Sequence, residues 1–323
     1  MPYKSAIIGL GNIGYKFGIN NRSKHSLCHL DAYKKNSNFI CVAGYDVNIE
    51  AREKFSLHTS LMSFSDIDDM LLESKPDIVS ICSPNEFHFD HLKKVLDYKV
   101  PMIWLEKPAF QTIKQLEKII QIRSDISPKT KILVNYQRRF SSQYIKIKEL
   151  LNNKVYGNCE SVLVNYSKGL LNNGSHMIDL IDYYFPNEKY SVLWFEKNKP
   201  NPDFIISINN QINVHFIGHQ VDYHNIDIVF TFQKARVSLI HGGMQMNIEV
   251  VKENHIYEGF YRLYDSPKES YSFNKVDNSF DNALSDLQFS HENKKTTSSE
   301  ICSSRFIFDV MQSIQFNDNL FSK

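Results

Sequence analysis

YKSAIIGLGNIG, residues 3–14, sets an apolar strand directly against a turn built on Gly9, Gly11 and Gly14. The three glycines of GxGxxG have separate physical tasks. The first permits a tight turn, the second lets the backbone approach a pyrophosphate, and the third lets helix and strand pack closely. Asn12 and Ile13 complete the cofactor-binding turn, and the helix N-terminus beyond it offers free N–H groups and a positive dipole to the phosphates. The pattern alone is equally a plain glycine turn, so context decides. A strand precedes it, and Asp46 ends the next strand, FICVAGYD (39–46). A carboxylate there binds a ribose 2′-OH and repels a 2′-phosphate, so NAD is expected over NADP. Asp46 lies 32 residues beyond Gly14 (46 − 14), against ~20 in the usual motif. The excess falls in YKFGINNRSKHSL (15–27). This segment reads as a surface loop or as a flap beside cofactor or substrate. Arg22 and Lys24 within it could hold an anionic group, the extra phosphate of NADP included.

Outward from the turn, apolar runs alternate with amphipathic ones. Helices are expected over 29–36, 47–55, 66–74 (capped by Ser65), 86–99 and 111–123, and strands over 76–84 and at PMIWL, 101–105. Near-continuous Val/Ile runs in that alternation mean a parallel sheet covered on both faces. From Pro128 the rhythm changes. After a strand at 131–136 and a helix at 141–152, strands dominate (159–166, 191–196, 203–209, 211–218, 226–232, 235–240, 246–252), interrupted by a helix near 174–184. HENKKTTSSE (291–300) reads as a surface loop, and 301–315 as a closing amphipathic helix. The fold class is α/β: a doubly wound Rossmann domain over 1–125, then an α+β domain over 126–323 with a large, mostly antiparallel open sheet.

Composition excludes several classes. The 323 residues carry a formal net charge of +1, with 42% hydrophobic and 23% charged residues. No global field therefore points to nucleic acid or an acidic membrane. The five cysteines are scattered, with no CxxC pair, which suits buried thiols in a reducing compartment better than disulfides or a zinc site. No metal is expected. The N-terminal apolar stretch is too short for a signal peptide's core, and no run reaches membrane-spanning length. The expected location is the cytoplasm.

Ligands of doubly wound sheets sit at the carboxyl ends of the strands. Ser83, Pro84, Asn85 and His88 follow one strand end, and Glu106-Lys107-Pro108 follows the next. A carboxylate and an ammonium at the end of a core strand thus lie at a binding edge, where their charges can meet a partner, and proline stiffens the turn. GLGNIG, SPNEFH, LEKP, NYQRRF (135–140) and HMID (176–179) occur in the order found in the Gfo/Idh/MocA oxidoreductases, which include glucose–fructose oxidoreductase and inositol dehydrogenase. The chain resembles that family over residues 1 to about 185 by motif and in the remainder by its strand-rich pattern. The resemblance implies Lys107 and His176 beside the nicotinamide, hydride transfer to or from a sugar-like carbon, and an open sheet through which a homodimer or homotetramer forms. Such enzymes often carry aspartate four residues before the histidine, where this chain has Asn172. Asparagine there is similar to members acting on nucleotide sugars. Gln137 also stands where the family usually has asparagine.

The expected roles follow. Lys107 stabilises negative charge on the substrate oxygen, its pKa lowered by burial and a neighbouring cation. His176 takes the hydroxyl proton, unless Asn172, which cannot neutralise an imidazolium, leaves that task to Lys107. His88 shapes the nicotinamide pocket, and Glu106 is a structural anchor or a cofactor contact. Of Arg138 and Arg139, one pairs with a carboxylate and the other faces solvent. Arg138, Lys168, Asn172 and Asn173 join Lys107 and His176 as substrate-binding candidates, with a nucleotide sugar or a free sugar or inositol as substrate. Lys107 also has the bland reading of a lysine reaching for solvent, and His176 that of a satisfied core histidine. A dinucleotide-binding sensor without turnover is the alternative from another class, and the presence of Lys107 argues against it. Asp46 should make NADH bind more tightly than NADPH in paired fluorescence titrations; tighter NADPH would point instead to Arg22 or Lys24.

Overall fold

The computed structural model describes residues 1–196, 199–273 and 278–316. They divide into two compact units, Met1–Ser141 with Val276–Arg305 and Ser142–Lys275 with Phe306–Lys323. The single boundary expected at 125/126 is therefore replaced by a division at 141/142 and a later return of the chain.

In the first unit the chain runs β1 (Tyr3–Ile8), α1 (His29–Lys35), β2 (Phe39–Tyr45), α2 (Ile49–Thr59), β3 (Met62–Phe64), α3 (Ile67–Ser74), β4 (Ile78–Ile81), α4 (His88–Asp97), β5 (Met102–Leu105), α5 (Ile113–Ile126) and β6 (Lys131–Val134). The strands form one parallel sheet in the order β3-β2-β1-β4-β5-β6. Every residue of β4 and β5 is buried, as a sheet covered on both faces requires. The order reverses between β1 and β4, which opens a crevice at their carboxyl ends. β6 pairs with β5 from Met102↔Lys131 to Leu105↔Val134, and this pairing carries the unit past residue 125. The three-residue edge strand β3 was not anticipated. Asp66, not Ser65, caps α3, its carboxylate accepting the N–H groups of Asp68 (2.7 Å) and Asp69 (3.2 Å).

The long spacing to Asp46 has a structural cause. The N–H of His29 donates to the Ile13 carbonyl (3.1 Å) and that of Leu30 to Gly14 (3.0 Å). In an uninterrupted α-helix those carbonyls would serve residues 17 and 18. α1 therefore continues the helical path begun at the glycine turn, with 12 residues (29 − 17) looped out of its first turn. Without them, Asp46 falls at the usual spacing of ~20. The loop is ordered by its own polar groups. Asn21 Nδ2 donates to Asp31 Oδ2 (2.5 Å), and Lys35 Nζ to the Ser23 and His25 carbonyls (2.9 and 2.7 Å) and to Asp31 Oδ2 (3.0 Å). Ser26 Oγ donates to Asp281 (2.5 Å). Arg22 and Lys24 are exposed on the loop.

The second unit contains α6 (Ser142–Asn152), β7 (Cys159–Tyr166), α7 (Ser175–Tyr184), β8 (Tyr190–Phe195), β9 (Phe204–Ile208), β10 (Ile212–Gly218), β11 (Ile226–Phe232), β12 (Ala235–Ile240), β13 (Gln245–Glu253), β14 (Tyr261–Asp265) and β15 (Tyr271–Ser272). Eight strands run in the order β14-β13-β12-β11-β7-β10-β9-β8, and β15 pairs with β13. β7 and β10 are parallel and the other pairs antiparallel. Alternation places Val162, Val164 and Tyr166 of β7 with Ile228 and Phe230 of β11 on a buried face, and α7 adds Met177, Ile178 and Leu180 to the buried residues. β14 and β15 were not anticipated.

The chain returns to the first unit as α8 (Ser279–Glu292) and then continues to α9 (Ser304–Phe316). α8 was missed by the sequence reading. It buries Phe280, Ala283, Leu284 and Leu287 in one core with Trp104, Leu133 and Phe140, at the i, i+3, i+4, i+7 spacing of an amphipathic helix. HENKKTTSSE is not a free surface loop. Thr297 Oγ1 donates to the Ile132 carbonyl (3.0 Å), the Val134 N–H donates to the Ser299 carbonyl (2.9 Å), and Leu133 bridges Glu300. Its polar residues cover the outer edge of β6, which would otherwise present unpaired backbone groups. Among the described residues no helix is long and apolar enough to cross a membrane.

If α1 does continue the turn's helical path, a variant lacking residues 17–28 should still melt cooperatively, with the amides of 29–35 protected from deuterium exchange. Free exchange throughout that segment would refute the register.

Candidate functional site

The glycine turn meets its three tasks in different ways. Gly9 has φ +95°, and a Cβ there would lie 2.5 Å from the Ser83 nitrogen. A Cβ on Gly14 would lie 2.3 Å from the Gly9 carbonyl oxygen, whereas one on Gly11 would meet nothing within 4 Å. The turn is thus closed at Gly9 and Gly14 and open at Gly11. Asp46 is oriented by the backbone, its carboxylate accepting the N–H groups of Leu10 (2.8 Å) and Asn48 (2.9 Å). Each oxygen keeps acceptor capacity for a ribose hydroxyl. Arg52 donates to the carbonyls of Asp46 (2.8 Å) and Val47 (3.0 Å).

Gly9, Gly11, Asp46, Ser83, Phe87 and His91 are among the residues lining a cavity of about 420 Å³ in this unit. Pro84 lines it too. Asn12 is exposed and Ile13 half-buried, and their carbonyls accept the N–H groups of Phe17 and His29. Asn85 opens a 3₁₀ turn over Asn85–Phe87. Phe87 and His91 were missed. Their rings stack with centroids 5.9 Å apart, and Ser83 Oγ is hydrogen-bonded to His91 Nδ1 (2.9 Å). Burial, helped by His88, lowers the His91 pKa to about 4, so this imidazole is neutral at pH 7. Their i, i+4 spacing after the β4 turn was a signal available in the sequence.

At the end of β5, Glu106 is buried. Its carboxylate accepts from His29 Nε2 (3.0 Å), Asn135 Nδ2 (2.5 Å) and the Lys107 N–H (3.2 Å). Burial pushes its pKa up, and His29, Asn135 and Lys107 more than reverse this, leaving it below the ordinary value. Glu106 is therefore anchored by protein groups. Lys107 is half-buried, and its peptide bond to Pro108 is cis. Burial lowers its pKa, the nearby Arg138 lowers it further, and Glu106 opposes both without restoring the ordinary value. The His88 ring nitrogens lie 2.9 Å from the Pro108 carbonyl and 2.8 Å from that of Ser83. The His88 ring thus lies between the turns after β4 and β5. Arg139, expected to pair with a carboxylate or face solvent, is buried and donates to the Ser298 carbonyl (3.0 Å).

In the second unit, His176 follows a π-helical turn over Leu170–Gly174. Asn172 and His176 are four residues apart, and the wider turn breaks the i, i+4 relation that an uninterrupted α-helix would give them. Asn172 is exposed and His176 is buried. The Gly174 N–H is taken by the Gly169 carbonyl (3.1 Å), so it is not open to an anion. The buried Asn173 donates from Nδ2 to His224 Nδ1 (3.1 Å), and Lys168 Nζ lies 3.8 Å from Asp222 Oδ1. Asp222 and His224 come from the loop after β10. Among the described residues, no group of three or more His, Cys, Asp or Glu is placed to hold a metal ion.

The parallel sheet, the glycine turn and an acidic residue ending β2 define a dinucleotide-binding Rossmann unit. Residues 3–127 match the family model GFO_IDH_MocA, described as an oxidoreductase family with an NAD-binding Rossmann fold. A D-glucoside 3-dehydrogenase from Escherichia coli is 27% identical over 158 residues, which cover 48% of this chain and 41% of that protein. Among solved structures, a dehydrogenase from Chromobacterium violaceum aligns with TM-score 0.77 at 13% identity, covering 99% of this chain and 96% of that one. A variant of KijD10, a 3-ketoreductase from Actinomadura kijaniata in complex with TDP-benzene and NADP, aligns with TM-score 0.75 at 11% identity, covering 98% and 97%. At those identities the two structures speak for the fold.

The two tight glycines and the open one predict different defects. Gly14→Ala should lower the urea midpoint, by about 1–3 kcal/mol in stability as overpacking does. Gly11→Ala should leave the midpoint nearly unchanged and weaken NADH binding, read by fluorescence. Equal loss of stability in both would overturn the assignment of tasks.

Proposed function

We propose that the chain is an NAD-dependent oxidoreductase that transfers a hydride between nicotinamide and a ring carbon of a sugar, with nucleotide sugars as the substrate class. The observation that carries this reading is Lys107, an amine with a lowered pKa beside Arg138 at the carboxyl end of β5, in a unit whose glycine turn and cavity fit a dinucleotide. Gly9, Gly11 and Gly14 would carry the pyrophosphate and Asp46 the adenosine ribose. When bound, the dinucleotide supplies the hydride acceptor or donor.

The chain's own groups would manage the substrate oxygen. Lys107, when protonated, donates a hydrogen bond to that oxygen, and when neutral it can accept the hydroxyl proton. Asn172 cannot neutralise an imidazolium as an aspartate there would, which favours Lys107 as the proton acceptor. Positioned general acid–base help is typically worth ~10²–10⁴-fold in rate. In the oxidative direction kcat/KM should therefore rise with pH through the lowered Lys107 pKa. Arg138 keeps that pKa down and adds positive charge where negative charge develops.

Lys168 supports the nucleotide-sugar reading. Its partner Asp222 is fully exposed and lies 3.8 Å away, and an exposed pair of this kind is worth ~0–1 kcal/mol, so a phosphate can displace it. A simple glycoside is the second reading, favoured by the committed Gly174 amide and by the E. coli relative, which is named for D-glucosides. That relative and the Actinomadura ketoreductase are both named for position 3, so ring carbon 3 is the proposed reaction centre.

Purified protein with NAD⁺ should form NADH on a panel of UDP-, GDP- and TDP-sugars, and Lys107→Ala should abolish turnover while NADH still binds. Deuterium exchange at the sugar carbon, followed in parallel, detects turnover hidden by tightly held cofactor. Activity on methyl glucosides or inositol alone would defeat the nucleotide-sugar reading, and full turnover by Lys107→Ala would defeat the role given to Lys107.

A further inference from the structure

We propose that His29 is a positioning residue for Lys107, acting through the carboxylate of Glu106; the inference rests on Lys107 being the reactive group proposed above. His29 is the first residue of α1, where the looped-out segment rejoins the helix. Its Nδ1 lies 2.8 Å from Ser80 Oγ and its Nε2 3.0 Å from Glu106 Oε1, and the Tyr33 hydroxyl lies 2.6 Å from the same Ser80 oxygen. One assignment satisfies every group in this chain. Tyr33 O–H donates to Ser80, Ser80 O–H donates to His29 Nδ1, and His29 Nε2–H donates to Glu106. The hydrogen bonds thus run in one direction and end on the Glu106 carboxylate. All four are buried. The ring is wedged against Trp104 and Phe280, with centroids 4.0 and 5.5 Å away, so it has no room to swing.

This arrangement reaches Lys107 in two ways. Glu106 accepts the Lys107 backbone N–H at 3.2 Å, so the carboxylate that His29 fixes also fixes the lysine's main chain. Glu106 is also the charge that opposes the effects of burial and Arg138 on the ammonium. His29 from α1, Asn135 after β6 and Lys107 itself keep Glu106 ionised against its burial. Cys82 after β4 and His88 from α4 face the same carboxylate. Without His29, the Glu106 carboxylate loses the donor that fixes Oε1, it can turn away from the Lys107 main chain, its field at Lys107 weakens, and Lys107 gives up its proton at lower pH. A histidine that merely filled space would change stability and leave that titration in place.

The test reads Lys107 directly. Lysines are reductively methylated with ¹³C-formaldehyde, and the Lys107 resonance is identified by its absence from Lys107→Arg. Its titration is then followed in the wild type, His29→Leu, His29→Gln and Ser80→Ala. His29→Leu should lower the midpoint by about one pH unit, the scale of losing a neighbouring charge. His29→Gln, which retains a donor towards Glu106, should restore most of the shift, and Ser80→Ala should give a smaller shift in the same direction. The pH profile of kcat/KM should move with the midpoint while NADH affinity stays unchanged. An unchanged midpoint in folded His29→Leu overturns the proposal. If that variant does not fold, an unchanged midpoint in Ser80→Ala does so. Full turnover by Lys107→Ala would remove the catalytic reading while leaving the predicted shift of the midpoint intact, so the two failures are distinguishable.

Discussion

A carboxylate buried at the end of a central strand has to be neutralised and hydrogen-bonded, or it costs several kcal/mol. Glu106 is that carboxylate, and much of the first unit is arranged around it. Its partners come from α1, from the residue that follows β6, and from the next residue of its own turn. For Asn135 to arrive, β6 has to pair with β5. For His29 to arrive, α1 has to keep the register of a helix that starts at Gly11. The twelve extra residues can then leave only as a loop from the first turn. The same carboxylate fixes the backbone of Lys107, so fold and proposed chemistry share one anchor.

Much of this architecture was legible in the sequence. Buried parallel strands are runs of Val, Ile and Leu, and a turn that carries phosphate needs glycine at fixed intervals. Both signals are local. What stayed hidden depends on partners distant in sequence. His29 looked like an ordinary helix residue because its partner is Glu106, 77 positions on. HENKKTTSSE looked like solvent-facing chain because its hydroxyls and carbonyls serve the edge of β6. α8 did carry the helical period at 280, 283, 284 and 287, but Asn, Asp and Ser between those positions masked it. Ser65 and Asp66 can both cap a helix, and the Asp66 carboxylate prevails by reaching two N–H groups.

In the second unit the limit is geometric. An i, i+4 relation between Asn172 and His176 requires 3.6 residues per turn, and a π turn breaks it just ahead of His176. Nothing in LLNNG announces the wider turn. The neighbours of Lys168 and Asn173 come from the loop at 219–225, about 50 positions later, and no spacing rule points to them. The helix start carrying His176 is consequently more self-satisfied than its sequence suggests.

The first unit is discontinuous, and this has a consequence for how the protein is made. Leu133 is bridged by Glu300, and at ~5–20 residues per second the ribosome needs roughly ten to thirty seconds to deliver the second after the first. During that interval all six parallel strands have been synthesised, while the edge of β6 and the apolar surface awaiting α8 remain uncovered. A nascent chain in this state is a natural client for holding chaperones. Translation speed through the intervening sheet-forming segment then becomes a determinant of yield that no measurement on the finished protein would reveal.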